Sequence, residues 1–420
     1  MLQTALPRPT SYAHFALLAL LVACSSGPSG STPTGLTVSG KVLDTNTGQP
    51  AAFLPVMVGG KVTSTDAAGS FSATSVVSPY ELVILQPAQK YAQVYEGVTR
   101  TDPIVLVYVP DTTPVRKATL TVNFTGTGTG TGLMDVGNPV RTNGGVSGSV
   151  ATPGSSYTTT LQWNGSGPSS FEGSVCAILS QNTGQVATAI TSYGQRDQVY
   201  VHDGQPTTTT VVMSPVPTKT ISGTVNAPPG YSVNAKTLGY VCGSTSSYPS
   251  YPFTFDMGAE TSFSYVTPAI PTTFYVGASA KKGDSYLSTQ QFDVAPDASG
   301  INLILPVPAE LNAPASNAVG LTSPVHFTWS PPSTGVNQVY INPTTPGPLG
   351  FTVYSPNASL TLPDLGALGY AAPKGTTYKW SVGADSRVPN VNAALSGVPL
   401  NYLTTYASSA SASRQFTTAP

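Results

Sequence analysis

The chain has 420 residues, enough for about three domains at roughly 150 residues each. Lys plus Arg number 17 and Asp plus Glu 18, a net charge of -1, and charged residues are 8% of the chain against about 25% in ordinary globular proteins. No basic surface can form to neutralise a phosphate backbone, so nucleic acid is not an expected partner. Gly (41), Pro (39) and Tyr (21) are abundant and 40% of residues are hydrophobic, which favours strands and turns and argues against general disorder. The expected fold class is all-β.

At the N-terminus an apolar run covers Phe15 to Ala23, nine residues, where a membrane span needs about 20. Arg8 and His14 precede it and small residues follow, the pattern of a secretory signal peptide. The stretch Leu21-Val22-Ala23-Cys24 resembles the lipobox of bacterial lipoproteins. That resemblance implies cleavage after residue 23 and a lipid anchor on Cys24; a plain signal with an incidental cysteine is the alternative. Ser25, rather than aspartate, follows the cysteine, which under the same resemblance favours the outer membrane or cell surface. Residues 24–35 then form a flexible tether, whose last eleven residues span about 18 Å on average.

The first block, residues 36–114, opens with Leu36, Val38, Gly40 and Val42 alternating with Thr37, Ser39 and Lys41 at strand period. Asp44 to Gly48 (DTNTG) reads as a turn, Asp66 with Gly69 as a hairpin signal, and LPVMV, YELVIL and IVLVYV as strands. Over about residues 36 to 110 this order resembles the carboxypeptidase-regulatory, transthyretin-like domain. The resemblance implies a seven-stranded sandwich with no catalytic part, expected to fold alone.

IVLVYVP at 104–110, TVVMSPVP at 210–217 and INLILPVP at 301–308 each close a block with an apolar strand and a proline. This recurrence predicts tandem immunoglobulin-like or transthyretin-like β-sandwich modules at 115–217, 218–308 and 309–420. The Gly/Thr-rich stretch of the second block, residues 124–154, is expected to be a flexible loop. In the last block Val325, Phe327 and Trp329 alternate, as do Tyr378, Trp380 and Val382. This resembles a fibronectin type III module, with Tyr378 placed like a tyrosine corner.

Candidate chemistry is sparse. His202 and His326 lack partners at metal spacing, and no G-x-S-x-G occurs. DTNTG starts like a calcium loop, but Pro55 stands where the bidentate carboxylate belongs. No catalytic residue, metal or cofactor is therefore expected, although a carboxylate pair assembled from distant strands is not visible in a sequence. Cys176 and Cys242 fit a disulfide in an exported protein, or two separate small buried hydrophobes. In STSSYPSYPFTF, Tyr248, Tyr251 and Phe253 are spaced by prolines that keep a segment out of central strands. These rings either present flat faces to sugars or cover their own module's core.

The functional expectation is a lipid-anchored cell-envelope or surface protein with a structural, adhesive or spacer role, its four modules in a row reaching about 100 Å. The alternative is a carbohydrate-binding lipoprotein that presents envelope or extracellular polysaccharide to separate enzymes. The anchor is testable directly: labelled fatty acid is expected to enter the wild-type protein and not Cys24→Ala, with the variant leaving the membrane fraction. Lipid on a product that still begins at Met1 would refute it.

Overall fold

The computed structural model describes residues 35–110, 112–139, 153–244, 246–250, 252–370 and 374–420, and these are almost entirely β. Two of the candidate residues, Cys24 and Tyr251, lie outside the described residues.

In the first block the strands are β1 (Leu36–Asp44), β2 (Pro55–Val58), β3 (Lys61–Ser64), β4 (Ser70–Val76), β5 (Tyr80–Gln86), β6 (Tyr91–Val98) and β7 (Ile104–Val107). A sheet ordered β4-β1-β7 packs on β3-β2-β5-β6 around Val38, Val42, Phe71, Leu82 and Ile84. Local chemistry makes the turns. The Asp44 carboxylate accepts from the Asn46 and Val109 amides at 3.3 and 3.2 Å and from the Thr47 hydroxyl at 2.6 Å. Asp66 accepts from the Ala68 and Ser70 amides, both at 2.8 Å, beside Gly69 at φ +68°, where a Cβ would stand 2.5 Å from the Val42 carbonyl.

The second block holds β8 (Arg116–Gly126), β9 (Thr131–Gly137), β10 (Ser156–Trp163), β11 (Ser170–Thr183), β12 (Val186–His202) and β13 (Pro206–Pro215), ordered β10-β8-β13-β12-β11-β9. β12 meets β13 only at Ser192↔Pro215 and Tyr193↔Ser214, and the two halves close over Leu120, Phe124, Trp163, Val175 and Val199. The expected loop is corrected in part here: β9 is a strand paired with β11, because Met134 and Val136 point into this core. Its Gly/Thr surroundings hid the alternation.

The third block contains β14 (Thr218–Asn226), β15 (Ser232–Tyr240), β16 (Thr254–Asp256), β17 (Ser262–Pro268), β18 (Phe274–Lys282), β19 (Ser285–Val294) and β20 (Ile301–Ile304). Sheet β17-β14-β20 packs on β16-β15-β18-β19 around Ile221, Leu238, Tyr265 and Val276. The last block contains β21 (Glu310–Ala313), β22 (Ala318–Leu321), β23 (His326–Ser330), β24 (Asn337–Pro343), β25 (Gly350–Ser355), β26 (Ser359–Thr361), β27 (Thr377–Asp385), helix α1 (Val391–Ala394), β28 (Tyr406–Ala410) and β29 (Arg414–Thr418). Phe327, Trp329, Val339, Val353 and Trp380 form its core. Tyr378 is buried there, stacked on Phe416 at 5.4 Å, but its hydroxyl has no hydrogen-bond partner. A tyrosine corner requires that bond, so this feature of the fibronectin-like expectation is not formed.

The blocks are not separate beads. β25 pairs in parallel with β6, and β19 pairs antiparallel with β28, so one sheet runs β16-β15-β18-β19-β28-β27-β24-β25-β6-β5-β2-β3 through three blocks. β5 is therefore buried on both faces: Leu82 and Ile84 face β1, while Val83 and Leu85 join the Phe327 and Trp329 core. Alone, residues 36–114 would expose Met57, Val83, Leu85, Ala92 and Val94, which runs against the expectation that this block folds independently. At the end of the same face Glu81 and Glu96 share a small cleft with His326 and Thr361.

Two expected outcomes follow from this packing. Leu85→Ala should destabilise the full chain by about 2–5 kcal/mol in urea unfolding, although Leu85 belongs to the first block and its contacts to the last; a change under about 0.5 kcal/mol would contradict the shared core. Glu81 is held above the usual carboxylate range by burial first and then by the charge of Glu96, and burial raises Glu96 as well. A raised folded pKa gives stability that is present below the unfolded value and is lost as pH rises through the folded one. Glu81→Gln should therefore be more stable than wild type at neutral pH and lose that advantage below about pH 4, as read by urea midpoints at the two pH values.

Candidate glycan-binding cleft

Three adjacent strands of the large sheet carry Val followed by Tyr: Val94-Tyr95 on β6, Val353-Tyr354 on β25 and Val339-Tyr340 on β24. Side chains alternate between the faces of a strand. The valines therefore enter the core with Trp329, and the tyrosines cross to the opposite face. Register places Tyr354 beside Tyr95 on one side and Gln338 on the other. The Tyr95 and Tyr354 rings stack at 4.8 Å with 4° between planes. The Tyr95 hydroxyl donates to Gln93 at 2.9 Å and the Tyr340 hydroxyl to Gln338 at 2.7 Å. Burial raises all three phenols, Tyr354 to about 12, so they remain neutral near pH 7.

These tyrosines floor a cleft of about 1090 Å³ to which all four blocks contribute. The turn after β1 supplies Thr45 and Asn46, and Tyr108 follows β7. The end of β10 supplies Trp163, the β10–β11 turn Asn164 and Pro168, and the third block Tyr248. The far wall is α1 and residues 396–405. Asn390 caps α1 by accepting from the Ala393 amide at 2.9 Å, and Asn392 donates to the Thr99 hydroxyl at 2.8 Å, fixing the wall to the first block. Trp163 is held by its indole N–H on the Pro168 carbonyl at 2.8 Å. Tyr402 and Tyr108 are the exposed rings, at 40% and 58%.

Among the described residues, Asp385 and Arg387 are the charged residues of the lining. Arg387 Nε donates to both Asp385 oxygens at 2.9 and 3.2 Å and Nη2 donates to Oδ2 at 2.5 Å. The guanidinium lies 4.2 Å over the Tyr406 ring and 5.6 Å from that of Tyr402. The site is thus aromatic, rich in side-chain amides and electrically balanced.

Of the residues singled out by sequence, Tyr248 is half-buried, lines the cleft and packs on Tyr402 at 5.1 Å. Phe253 is corrected: it is 6% exposed among Tyr240 and Phe274 and is a core residue, because the chain turns inward after Pro252 to start β16. Cys176 and Cys242 are bonded to each other, joining β11 of the second block to the segment after β15 of the third. A link over a sequence separation of 66 restricts the unfolded chain by about 4 kcal/mol on the loop-entropy account. His202 ends β12 exposed, and His326 is exposed with Nδ1 at 2.9 Å from the Thr361 hydroxyl. Among the described residues no group of three His, Cys, Asp or Glu could hold a metal ion, and no helix is long and apolar enough to cross a membrane.

Sequence reading missed Tyr95, Tyr340, Tyr354, Asp385, Arg387 and Tyr402. The repeated Val-Tyr step was the available signal for the floor, and Asp385-Ser386-Arg387 at a strand end was one for the ion pair. No protein-family model and no curated protein matches the chain.

Proposed function

We propose that this chain is an exported, lipid-anchored protein of the bacterial envelope that binds oligosaccharide in the cleft between its four blocks. The observation that carries the reading is the lining itself. The exposed rings of Tyr108 and Tyr402 suit the apolar faces of sugar rings, and Asn46, Asn164, Gln338 and Asn401 suit their hydroxyls. A volume of about 1090 Å³ lies just above the range of pockets that enclose a small molecule, about 300–1,000 Å³, which fits several sugar units better than one. Binding rather than turnover is favoured because glycoside hydrolysis ordinarily uses two carboxyl groups. Here the one carboxylate of the lining among the described residues, Asp385, is occupied by Arg387. The lipobox-like sequence ending in Cys24 supports the anchor, and the continuous sheet supports a single binding body over a row of spacers.

The test uses the chain from residue 25 onward, with Tyr402→Ala and Tyr248→Ala, measuring retention on polysaccharides together with melting. Wild type should be retained, and Tyr402→Ala should weaken binding about tenfold, 1.4 kcal/mol, with melting within about 2 °C of wild type. Loss of binding matched by a large fall in melting temperature would make these rings structural, and no retention of wild type on any polysaccharide would remove the reading.

A further inference from the structure

Resting on the glycan-binding reading, we infer that the ligand is a neutral hexopyranose chain and that Arg387 is the residue that selects it. Arg387 carries five N–H donors in a rigid plane. Asp385 takes Nε and one side of Nη2, the Tyr406 ring supports the plane, and the side chain is 14% exposed. Among the described residues Nη1 donates to no protein group, and it belongs to a residue of the cleft lining. The fork is thus fixed before any ligand arrives, with donors still open. Sugar hydroxyls can accept from it as charge-assisted hydrogen bonds at little ordering cost.

The charge balance decides between neutral and acidic sugars. Among the described residues the one positive charge of the lining is already compensated by a carboxylate in contact, and no second cation lines the cleft. A uronate or sulfate reaching Nη1 would meet the Asp385 carboxylate behind the same guanidinium. Its attraction to Arg387 would be cancelled while its desolvation remained. A hydroxyl brings a dipole without net charge and meets no such opposition. The chain's net charge of -1 adds no long-range field that would draw a polyanion.

The experiment is calorimetric titration of residues 25–420 with neutral hexasaccharides of glucose, galactose and N-acetylglucosamine and with hexagalacturonate, at about 0.05 and 0.5 M salt. At least one neutral probe should bind with the same affinity at both salt concentrations, and hexagalacturonate should bind about tenfold or more weakly. Arg387→Lys, which keeps the charge and loses the fork, should weaken the neutral probe about tenfold. Asp385→Asn, which leaves the guanidinium uncompensated, should raise hexagalacturonate affinity about tenfold in a salt-sensitive way. The charge-free double variant Asp385→Asn with Arg387→Gln should keep the wild-type melting temperature and lose the neutral probe. Preferential binding of hexagalacturonate by wild type, or an Asp385→Asn variant with unchanged preference, would overturn the inference and leave glycan binding standing. Failure of every probe, together with failure of the polysaccharide retention test, would remove the underlying reading and this inference with it.

Discussion

The parallel ladder between β25 and β6, from Gly350↔Tyr91 to Tyr354↔Tyr95, joins residues more than 250 apart in the chain and turns the sheets of the first and last blocks into one. It satisfies two sheet edges that would otherwise present unpaired backbone groups. It also sets side-chain position on both faces at once, because a slip of one residue would send Val94 and Val353 out of the core and Tyr95 and Tyr354 into it. The hydrophobic core and the floor of the cleft are thus fixed by the same register. Contacts of such sequence separation cost chain entropy before they return any stability. The apolar residues on β5, β6 and β2 that need cover on their second face supply the compensating burial.

The cleft follows from where the covering layers stop. The sheet β4-β1-β7 covers one face of β6, β5 and β2, and β7 is its last strand. Leu106 on β7 and Tyr108 just after it form a wall, and beyond them the tyrosine face of β25 and β24 is left without a second sheet. Val388, Val391 and Leu395 pack into the first block's core, so the helical wall α1 is anchored to that block although it belongs to the last. A site with four contributors is placed by packing between blocks, and no single block carries it.

What could be read from the sequence was local. The alternation of β1, the Asx turns at Asp44 and Asp66 and the all-β class rest on spacing of two to four residues, and they are where the sequence placed them. The edges that join blocks depend on pairings that no local pattern encodes. One sign of them was present: the unbroken Leu82-Val83-Ile84-Leu85 run is what a strand buried on both faces looks like. Tyr200 shows why Val-Tyr alone was weak evidence, since Val199 enters the second block's core while Tyr200 is an exposed ring away from the cleft. Phe253 shows the converse. Proline spacing marked a segment kept out of central strands, and the ring still turned inward, because at the next residue the chain joins β16 at the sheet's edge.

In a chain with 8% charged residues, two ion pairs, Lys236 with Asp256 and Arg387 with Asp385, show what charge is used for. The Lys236 ammonium is fully buried, with three donors and three oxygens: the Gly258 carbonyl at 2.7 Å, the Glu260 carbonyl at 3.0 Å and the Asp256 carboxylate at 3.2 Å. Asp256 also accepts from the Tyr265 hydroxyl at 2.6 Å. Every strong donor there is used, and what the group secures is the path of the chain between β16 and β17. Arg387 also meets an aspartate, yet its larger fork is only partly used, and it stands at the wall of a cleft rather than inside a core. A saturated ammonium in a core is a fastening; an unsaturated guanidinium held rigid at the edge of an aromatic cleft has donors left for something outside the chain.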